Sequence, residues 1–574
     1  MRKLIRSASL ILAAMMVLSC FSLPARAEKN SGVVRVLLTK AALTNQVKIA
    51  LDGSYTLGDI SFQRGSQVTV SIFKGLLMVY YEGIALNAGK EAVFLRHETD
   101  EGLENGFRLN GGYDLHPGDL HLTIQNGALQ AVLYAPVEDY LLGVVPYEMS
   151  DSFPLEALKA QAVAARTYAL RKALSSGAYD LVDNTNDQSY NGVRKENKNA
   201  ARAVEETRGV CGYYKDALAE CFYSASNGGQ TELVSHVWGR GDYAYLAMQD
   251  DPYDLENPES VVKSGRLQKS LSSNDDLGAL KEAVLGALSE LMESRGYDGD
   301  AEYIRVTAIE GANTAIPLYF DSPSKIMTLL RLQLKVMGRR LLTENEEEEV
   351  SLFTVFESEN PLSTAAPKEA EKEEWSAMET LTEPVTVTLD LFPLVESALN
   401  LSINAGANEI ITLRETPDAF YLEARRFGHG VGMSQRGAQR MAGNYGWTCE
   451  QILRFYYPGM ELKTISYTFQ LPPKLSAEFL ATPGPAATPS PRPTVMPVFS
   501  TPSPREYKVQ VTNIGVNSYL NLRQQPNTQA GVLRQLYYGQ ELIVMDEKDD
   551  WLTVRTDDMT GYVMKEFVTR VEEQ

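Results

Sequence analysis

Apolar and polar positions tend to alternate along the first part of the chain, from residue 33 to about residue 135. Val33–Leu38 and Gln46–Leu51 are examples, and alternation with a period of two is typical of strands that have one buried face. The pattern therefore predicts β-structure across this region. Turn sequences between such segments support the prediction; they are Asp52-Gly53, Asn105-Gly106, Asn110-Gly111-Gly112 and Asn126-Gly127.

Helical patterning begins after Pro154, where an alanine-dense segment extends to Leu170. Proline suits the first turn of a helix because its missing N–H would have no partner there. Ser152 or Asp151 is placed to cap the same helix. Together with the preceding strands, this segment predicts an α+β fold in which a mixed, β-rich structure carries short helices.

Residues 256–404 differ in composition from the segments on either side. They contain two charged runs, Glu344–Glu349 and Lys368–Glu374, and amphipathic pieces at Leu277–Met292 and Ser324–Arg340. Runs of charge are usually solvated loops. We therefore predict an acidic, partly ordered insertion over residues 256–404.

The composition shifts to proline, alanine, threonine and serine from Leu471 to Arg505, within a predicted linker of residues 466–505. Such a segment cannot bury a core and is typical of an extended tether. Residues 506–571 then hold short strand-like segments, which predict a small all-β barrel. These segments are Lys508–Val511, Leu520–Arg523, Glu541–Met545, Trp551–Arg555 and Gly561–Val563.

Composition and charge narrow the classes of function. The chain has 574 residues, which is too long for one ordinary domain. Its 44% hydrophobic and 22% charged residues are those of a globular protein. A formal net charge of −20 argues against electrostatic binding to nucleic acid or to an anionic membrane surface. No nucleic-acid partner is therefore expected.

The N-terminus has the pattern of a secretory signal peptide. Basic residues between positions 2 and 6 precede the apolar run Leu10–Leu23 and the motif Ala25-Arg26-Ala27, after which we expect cleavage. A membrane anchor is a weaker interpretation, because the run is shorter than the roughly 18–20 residues that a span needs. Lipidation at Cys20 ranks below simple secretion. We thus predict residues 1–27 to be a signal peptide and the protein to be exported.

Three cysteines follow the predicted cleavage site, and two of them flank a predicted hairpin. Cys211 and Cys221 lie on either side of a turn near Lys215-Asp216. A three-residue loop would place them opposite each other, within reach of a disulfide outside the cell. A four-residue turn would offset them. Two buried thiols without a bond are the alternative.

The first segment with candidate chemistry places Glu148 just ahead of the alanine-dense helix. Its neighbours are Val144, Val145, Tyr147 and Met149, and apolar neighbours can desolvate a carboxyl and raise its pKa toward the range of a general acid. The alternative is a surface glutamate stabilised by the helix dipole. The local sequence by itself favours that alternative.

Two further segments are rich in glycine and polar residues. Gln188-Ser-Tyr190 is followed by Tyr223–Glu232, which contains Ser226, Gly228, Gly229 and Thr231 but lacks a nucleophile elbow, so a tight turn beside a cleft is the better interpretation. Gly428–Ala438 lacks dinucleotide-binding spacing, because position 433 is methionine. Ser434 can cap the next helix. His429 is a candidate substrate contact or second proton carrier. A purely structural role, packed between glycines, is an equal alternative.

Taken together, the three segments resemble the stage II sporulation protein D (SpoIID)/LytB family, in the family's order. The resemblance covers residues 28–255 and 405–465, interrupted by the insertion, and implies a β-rich catalytic domain. It implies a peptidoglycan lytic transglycosylase whose catalytic acid is Glu148, which reverses the local preference. The substrate-binding residues implied by the same motifs are Arg166, Tyr168, Gln188, Tyr190, Ser226, Gly228, Gly229, Thr231, His429, Ser434 and Gln435.

One carboxyl is enough for this reaction, whereas ordinary glycosidases need two. In a lytic transglycosylase the 6-hydroxyl of the muramic acid is the nucleophile, so one glutamate serves as acid and then as base. A hydrolase remains the alternative if Asp151 or Asp183 faces the cleft. Some members of the family hold zinc near a His-Cys pair, where this chain has Asn186-Asp187, so no metal or other cofactor is expected.

Residues 506–571 resemble bacterial SH3 domains, on Leu520–Arg523, Gly531–Gly539, Trp551 and Gly561–Val563. The resemblance implies binding to cell-wall peptide or glycan, with an idle spacer as the alternative. On a proline-rich tether the module would raise the effective concentration of the enzyme at the wall. We therefore expect a secreted, wall-associated protein that binds glycan strands. LytB-type members imply the rival function, a non-catalytic enhancer of a partner amidase.

Overall fold

The computed structural model describes residues 31–320, 322–342, 374–475, 507–512, 519–528, 530–537, 540–556 and 559–571. The chain divides into two compact units, residues 1–482 and 483–574. Three predicted features lie wholly or largely outside the described residues: the signal peptide with Cys20, the charged runs of the insertion, and the proline-rich linker. No helix in the described parts of the chain is both long and apolar enough to cross a membrane.

Twelve strands form the two sheets at the start of the first unit. They are β1 (Val33–Leu37), β2 (Gln46–Leu51), β3 (Ser54–Leu57), β4 (Ile60–Phe62), β5 (Ser66–Phe73), β6 (Leu76–Tyr81), β7 (Ile84–Gly89), β8 (Glu91–His97), β9 (Phe107–Leu109), β10 (Asp119–Gln125), β11 (Ala128–Pro136) and β12 (Leu181–Val182). One sheet has the order β12-β1-β11-β10-β8-β3-β4, and the other β7-β6-β5-β2-β9. The β-structure predicted from the alternating pattern is confirmed.

Burial alternates along these strands as the sequence does. In β1 the side chains of Val34 and Val36 are buried, and their neighbours are partly exposed. β1 pairs antiparallel with β11, with Val33 opposite Pro136, and parallel with β12. A slip of one residue would turn Arg35 into the core, so the hydrophobic pattern specifies the register.

Four helices follow or flank the sheets: α1 (Val137–Leu142), α2 (Val145–Glu148), α3 (Leu155–Lys172) and α4 (Lys198–Glu206). α3 is the central helix, and its residues from Ala160 to Leu170 are all buried. Alanine makes this burial feasible, because its small side chain lets neighbouring elements approach the helix from every side.

α3 begins without a side-chain cap. Pro154 occupies its N-cap position, Ser152 lies 2.9 Å from the hydroxyl of Ser150, and the carboxylate of Asp151 accepts the N–H of Ala200 near the start of α4. The predicted cap by Ser152 or Asp151 is wrong, because both side chains are held by other partners. Asp151 instead stabilises the neighbouring helix.

Short elements after α4 pack against α3 and around it. They are β13 (Val210–Tyr214), β14 (Ala217–Leu218), β15 (Tyr223–Ser224), α5 (Val234–Trp238) and α6 (Pro252–Glu256). A two-residue turn, Lys215-Asp216, joins β13 to β14, and both turn residues have positive φ. This register offsets Cys221 from Cys211 by one position. Both thiols are free and buried, as in the alternative without a disulfide.

Residues 258–425 build a second hydrophobic core. Its strands are β16 (Lys263–Gln268), β17 (Arg305–Pro317), β18 (Met327–Gly338), β19 (Glu379–Thr380), β20 (Val385–Asp390), β21 (Ile410–Glu415) and β22 (Ala419–Arg425). Its helices are α7 (Lys281–Glu293) and α8 (Glu396–Ala398). Short 3₁₀ turns lie at Pro258–Ser260, Asn274–Leu280 and Ala301–Tyr303, and a π-helical turn at Leu391–Val395. β17 and β20 flank β18, and β22 lies between β16 and β21.

The two amphipathic segments found in the sequence have different secondary structures. Leu277–Met292 is helical in its larger part, whereas Ser324–Arg340 is mostly strand β18. Leu332 of β18 and Leu422 of β22 lie in the same core. The packing thus crosses the boundary predicted at residue 404.

The first unit is completed by the segment after residue 425. It contains β23 (Met433–Ser434), α9 (Gln435–Tyr445), α10 (Cys449–Tyr456) and β24 (Glu461–Thr464). β23 pairs parallel with β15, and β24 pairs with β13. These two contacts attach the end of the segment to the part of the fold that precedes the second core. The observed mixture of sheets and short helices confirms the predicted α+β class.

The second unit is all-β, as predicted. Its strands are β25 (Tyr507–Val511), β26 (Tyr519–Arg523), β27 (Val532–Tyr537), β28 (Glu541–Lys548), β29 (Trp551–Arg555), β30 (Thr560–Met564) and β31 (Val568–Arg570), with a 3₁₀ turn at Lys565–Phe567. They form one sheet in the order β27-β26-β30-β29-β28-β25-β31. Its core includes Val511, Leu522, Val554 and Val563, all fully buried.

We expect Ala164→Leu to destabilise the first unit. Ala164 is fully buried in α3, and extra methyl groups in a packed core cost about 1–3 kcal/mol. Urea unfolding would measure the loss. Ala201→Leu, at an exposed position of α4, is the matched control and should change the free energy of unfolding by less than about 0.5 kcal/mol. Equal effects of the two changes would contradict the tight packing of α3.

Candidate active site

Glu148 is the last residue of α2, and two other segments reach its carboxyl group. Its Oε1 accepts the backbone N–H of Ser189 at 2.6 Å, and Nε2 of Gln435 lies 3.5 Å from its Oε2. The side chain of Gln435 also lies 3.4 Å from that of Gln161 on α3. The three segments that carry candidate chemistry in the sequence therefore meet at this one carboxyl group.

The pKa of Glu148 is raised above its ordinary value. Burial is the main cause, and the N–H of Ser189, the amide of Gln435 and the charge of Lys40 oppose it in that order. A carboxyl that keeps its proton to higher pH is suited to general acid catalysis. The residue is only partly exposed, so the alternative of an ordinary surface glutamate does not describe it.

A frame of aromatic and amide groups holds the segment that contacts Glu148. The Tyr140 hydroxyl donates to Oε1 of Gln188 at 3.0 Å, and Nε2 of Gln188 donates to the Tyr223 hydroxyl at 3.0 Å. The ring of Tyr190 stacks on that of Tyr140, with centroids 5.3 Å apart. Ser189 lies between Gln188 and Tyr190, so this frame fixes the donor that points at Glu148.

A cleft of about 350 Å³ lies beside this frame. Tyr223 lines the cleft and its hydroxyl accepts a hydrogen bond from Nε2 of Gln188, whose neighbour Ser189 donates to Glu148, so the candidate acid is connected to the cleft through this frame. Burial and the charge of Glu148 raise the pKa of Tyr223. Tyr168 and His429 are the two predicted substrate-binding residues in its lining. The other lining residues are Lys172, Thr185, Asn186, Asp187, Glu220, Cys221, Phe222, Trp238 and Arg240.

Aromatic rings form much of one wall of the cleft. The ring of Trp238 lies 5.0 Å from that of His429 and 4.8 Å from that of Phe222, and the guanidinium of Arg240 lies 5.2 Å from the Trp238 ring. Aromatic faces and cationic groups suit a polar, ring-shaped ligand that carries carboxylates. Sequence analysis missed Trp238 and Arg240, although an aromatic and an arginine around Gly239 were a visible signal.

His429 is neutral at physiological pH. Burial, and then the charge of Arg426, lowers its pKa to about 4. Its Nδ1 accepts the N–H of Val431 at 3.0 Å, the backbone of Tyr223 also hydrogen-bonds to the ring, and the ring lies 5.0 Å from that of Trp238 in the cleft wall. A neutral imidazole held in this way fits a contact role better than that of a second proton carrier.

The candidate second acids are both held by local donors. Asp151 accepts the N–H of Ala200 at 2.7 Å. Asp183 is buried and accepts the hydroxyl of Thr39 and the N–H of Lys40, the latter at 3.0 Å. Neither residue is in the lining of the cleft.

The positions at which some members of the resembling family hold zinc do not fit a metal here. Asp187 accepts the Tyr168 hydroxyl at 2.9 Å and the N–H of Val182 at 2.9 Å, and the Lys172 ammonium lies 2.8 Å away. Its preceding residue, Asn186, is a neutral amide. In the part of the chain that the structure describes, no cluster of three or more His, Cys, Asp or Glu residues could hold a metal ion.

Two matches to known families agree with this arrangement. Residues 125–214 match the sequence model of the family described as "Stage II sporulation protein", and residues 518–569 match the one described as "Bacterial SH3 domain". The chain carries a SpoIID domain and a bacterial SH3 domain. The resemblance inferred from the motifs is thus confirmed, and the matched stretch of the SpoIID domain contains Glu148.

Curated relatives share parts of the chain. An uncharacterized protein of Brachyspira hyodysenteriae is 34% identical over 215 residues, 37% of this chain and 56% of that protein. A Bacillus subtilis protein named amidase enhancer is 28% identical over 322 residues, 56% of this chain and 40% of the relative. The stage II sporulation protein D of Bacillus subtilis is 31% identical over 167 residues, 26% of this chain and 48% of the relative. The chain spans about half the length of the curated relatives it matches.

Several predicted binding residues of the SpoIID domain belong to its buried scaffold. Arg166 is 0% exposed, and two of its guanidinium nitrogens donate to Glu138 at 2.9 and 2.7 Å. Gln188 and Tyr190 are buried in the frame behind Ser189. These side chains contact other protein groups in this structure, and a role for them in binding substrate stays a prediction. Arg166 ties α1 to α3 through a buried ion pair.

The turn that precedes α5 is also scaffold. Asp254 accepts the hydroxyl of Ser226 at 2.9 Å, and it accepts the hydroxyl of Ser434 as well. The hydroxyl of Thr231 donates to the carbonyl of Ala247 at 2.9 Å. All three hydroxyl-bearing residues are buried and bonded within the fold, and their contact with substrate stays a prediction.

Gly228 and Gly229 have positive φ values of 72° and 99°. A Cβ atom at position 228 would lie 3.0 Å from the backbone nitrogen of Arg426. The two glycines therefore allow close packing within the SpoIID domain, and both are buried. Their contact with substrate stays a prediction. Of the twelve residues predicted for the site, Glu148, Tyr168, His429 and Gln435 lie at the acid or the cleft.

A second buried carboxylate, Asp251, completes this scaffold, and sequence analysis missed both aspartates. Asp251 accepts Nδ2 of Asn227 at 2.8 Å and the hydroxyl of Tyr456 at 2.6 Å. Burial, together with the charge of Asp254, raises the pKa of Asp251 to about 6. The signal in the sequence was the pair of aspartates around Pro252-Tyr253, at the N-cap and in the first turn of α6.

We expect Asp251 to make the SpoIID domain less stable as pH rises. Its folded-state pKa of about 6 lies above the ordinary 3.8, so the native state binds the proton more tightly, and this stability is lost as pH rises through 6. The shift corresponds to roughly 3 kcal/mol. Asp251→Asn should flatten the dependence of unfolding free energy on pH between about 4 and 6, measured by urea unfolding.

Asp275→Asn is the control for this pH dependence. The Asp275 side chain is 80% exposed in the ion pair with Lys281, and its replacement should leave the slope between about pH 4 and 6 close to that of the wild type. An unchanged slope in Asp251→Asn would contradict the assignment of the titrating group to the buried aspartate.

Proposed function

We propose that this chain is a peptidoglycan lytic transglycosylase, in sporulation or general wall remodelling, and that Glu148 is its catalytic acid. The observation that carries the proposal is the environment of this carboxyl. It has a raised pKa, a fixed backbone donor at Ser189 and an aromatic cleft next to it. The relatives named stage II sporulation protein D support a role at the cell wall.

The reaction follows from one carboxyl that changes role. Protonated Glu148 gives its proton to the glycosidic oxygen, and the bond from that oxygen to the anomeric carbon of the muramic acid breaks. The 6-hydroxyl of the same sugar attacks the anomeric carbon, and the Glu148 carboxylate takes the hydroxyl proton. The product ends in a 1,6-anhydro ring and no water is consumed, so the second carboxylate of ordinary glycosidases is not required.

The cleft lining has the chemistry that such a substrate needs. The ring of Trp238, which is 40% exposed, offers a face for a sugar ring, and the neutral ring of His429 lies beside it. Arg240 provides positive charge for the carboxylates of muramic acid and of any attached peptide, whereas Lys172 is paired with Asp187. Glycan strands are thus the proposed partner of this cleft.

We propose that the SH3 domain holds the enzyme at the cell wall. It has a groove of about 200 Å³, in which Trp551 and Phe567 offer apolar surface and Arg523 offers a cation. Wall binding by this module would raise the effective concentration of the SpoIID domain at its substrate. Export through the predicted signal peptide is part of the same proposal.

A second candidate function is that of an amidase enhancer. It is favoured by the Bacillus subtilis relative of that name, which aligns with 56% of this chain. In that case the cleft would bind glycan without cutting it, and a cell-wall amidase would be the partner. The two functions differ in whether Glu148 is chemically required.

The decisive experiment is digestion of purified glycan strands with residues 28–574, wild type beside Glu148→Gln, followed by mass spectrometry. The variant removes the proton and keeps the shape, so we expect anhydromuramic ends from the wild type and at least about a hundredfold fewer from the variant. Asp151→Asn is the matched control and should retain the activity.

Each product identifies a different outcome. Reducing ends in place of anhydro ends would point to a hydrolase. Absence of cleavage on both intact and peptide-stripped strands would refute the enzyme. Stimulation of a purified amidase by Glu148→Gln as well as by the wild type would then support the enhancer.

The pH dependence of cleavage supplies an independent check on Glu148. The proton must be present at the start, so the rate should fall as pH rises through the pKa of Glu148. The charge of Lys40 lowers that pKa, and Lys40→Met should therefore move the alkaline limb of the rate profile to higher pH. Lys195→Met, in an exposed ion pair, should leave the profile in place. A shift in the opposite direction would contradict the role of Lys40.

A further inference from the structure

Trp238 and Arg240 of the cleft wall depend on a very short helix. α5 has five residues, Val234–Trp238, and ends at Gly239 in the left-handed conformation. Trp238 is 40% exposed at the cleft. Isolated helices shorter than about 12 residues are marginal in water, so packing from neighbouring elements must hold α5 in place.

The β17–β18 hairpin provides such packing from the second core. We call residues 318–320 and 322–326, between the two strands, the hairpin tip. The ring of Tyr319 stacks on the imidazole of His236 in α5, with centroids 3.6 Å apart and planes 9° from parallel. The Tyr319 hydroxyl also donates to the carbonyl of His236 at 3.2 Å.

A second contact fixes the hairpin tip to the turn that leads into α5. The buried side chain of Gln230 donates to the carbonyl of Pro323 at 2.9 Å and accepts the N–H of Lys325 at 2.8 Å. The N–H₂ group and the carbonyl of one side-chain amide thus both hydrogen-bond to neighbouring residues of the hairpin tip. The Lys325–Asp250 ion pair adds little, because it is exposed.

The same helix is held from its other side by buried charges. Nδ1 of His236 lies 2.8 Å from Oε1 of Glu232, and the other oxygen of Glu232 accepts from the fully buried Arg426 at 2.8 Å. His236 therefore lies between Tyr319 and this ion pair. The position of α5 is set jointly by the second core and by the SpoIID domain.

We infer that the hairpin tip positions the aromatic wall of the glycan cleft, with Tyr319 as the positioning residue. The identity of the ligand in this inference rests on the proposed function, whereas the packing of the hairpin tip on α5 does not. None of the residues that line the cleft belongs to the hairpin tip. The insertion thus controls the affinity of a cleft that it does not line.

Hydrogen exchange of the full chain tests the packing without any ligand. In Tyr319→Ala, the amides of residues 235–240 should exchange about two- to twelvefold faster, the value of one aromatic pair. The amides of α10 (Cys449–Tyr456) and α7 (Lys281–Glu293) should be unchanged, which separates a local effect from unfolding of either core. Tyr319→Phe keeps the ring stack, and Phe320→Ala alters a neighbour that is 83% exposed; both should exchange much more like the wild type.

Binding of peptide-free glycan strands to the same variants tests the link to the cleft. Tyr319→Ala should weaken binding by a similar factor, and the other two variants should bind nearly as the wild type does. Unchanged exchange in Tyr319→Ala, or faster exchange with unchanged affinity, would overturn the inference. If the wild type binds no glycan, the proposed function fails, while the exchange rates still decide whether the hairpin tip holds α5.

Discussion

The buried carboxylate of Asp254 joins segments that are far apart in the chain. It accepts hydrogen bonds from Ser226 and Asn227 on one side, and from Ser434, 180 residues further along, on the other. A carboxylate tolerates removal from water only when donors surround it. The hydrogen bonds around Asp254 therefore require both segments. When they form, they bring Gln435, the neighbour of Ser434, to Glu148.

In the sequence, the second core lies between the two segments that meet at Asp254. β16 at its start pairs with β22 at its end, from Lys263 opposite Ala424 to Gln268 opposite Ala419. The ends of the insertion therefore meet, and the entropy of closing a loop grows only slowly with its length. The tip of the β17–β18 hairpin contacts α5 through Tyr319 and His236, so the insertion reaches the helix that carries one wall of the cleft.

The environment of Glu148 balances two opposing effects. Burial favours the protonated acid, while the N–H of Ser189, the amide of Gln435 and the charge of Lys40 favour the carboxylate, and burial prevails. In the proposed reaction the opposing donors would also have a use, because a single carboxyl that acts as acid and then as base must be stable enough in both forms. Deeper burial would strengthen the acid form at the expense of access for the substrate.

The sequence by itself determined the strand-rich first part, the alanine-dense helix, the small β-barrel and the family, because alternation, turn residues and long motifs are local signals. It also singled out Glu148. Only the tertiary structure decided that Arg166, Ser226, Gly228, Gly229, Thr231 and Ser434 are scaffold, and that Trp238 and Arg240 line the cleft. The physical reason is that burial and hydrogen-bond partners depend on distant segments: the same serine is a ligand beside a cleft and a tie beside the buried Asp254.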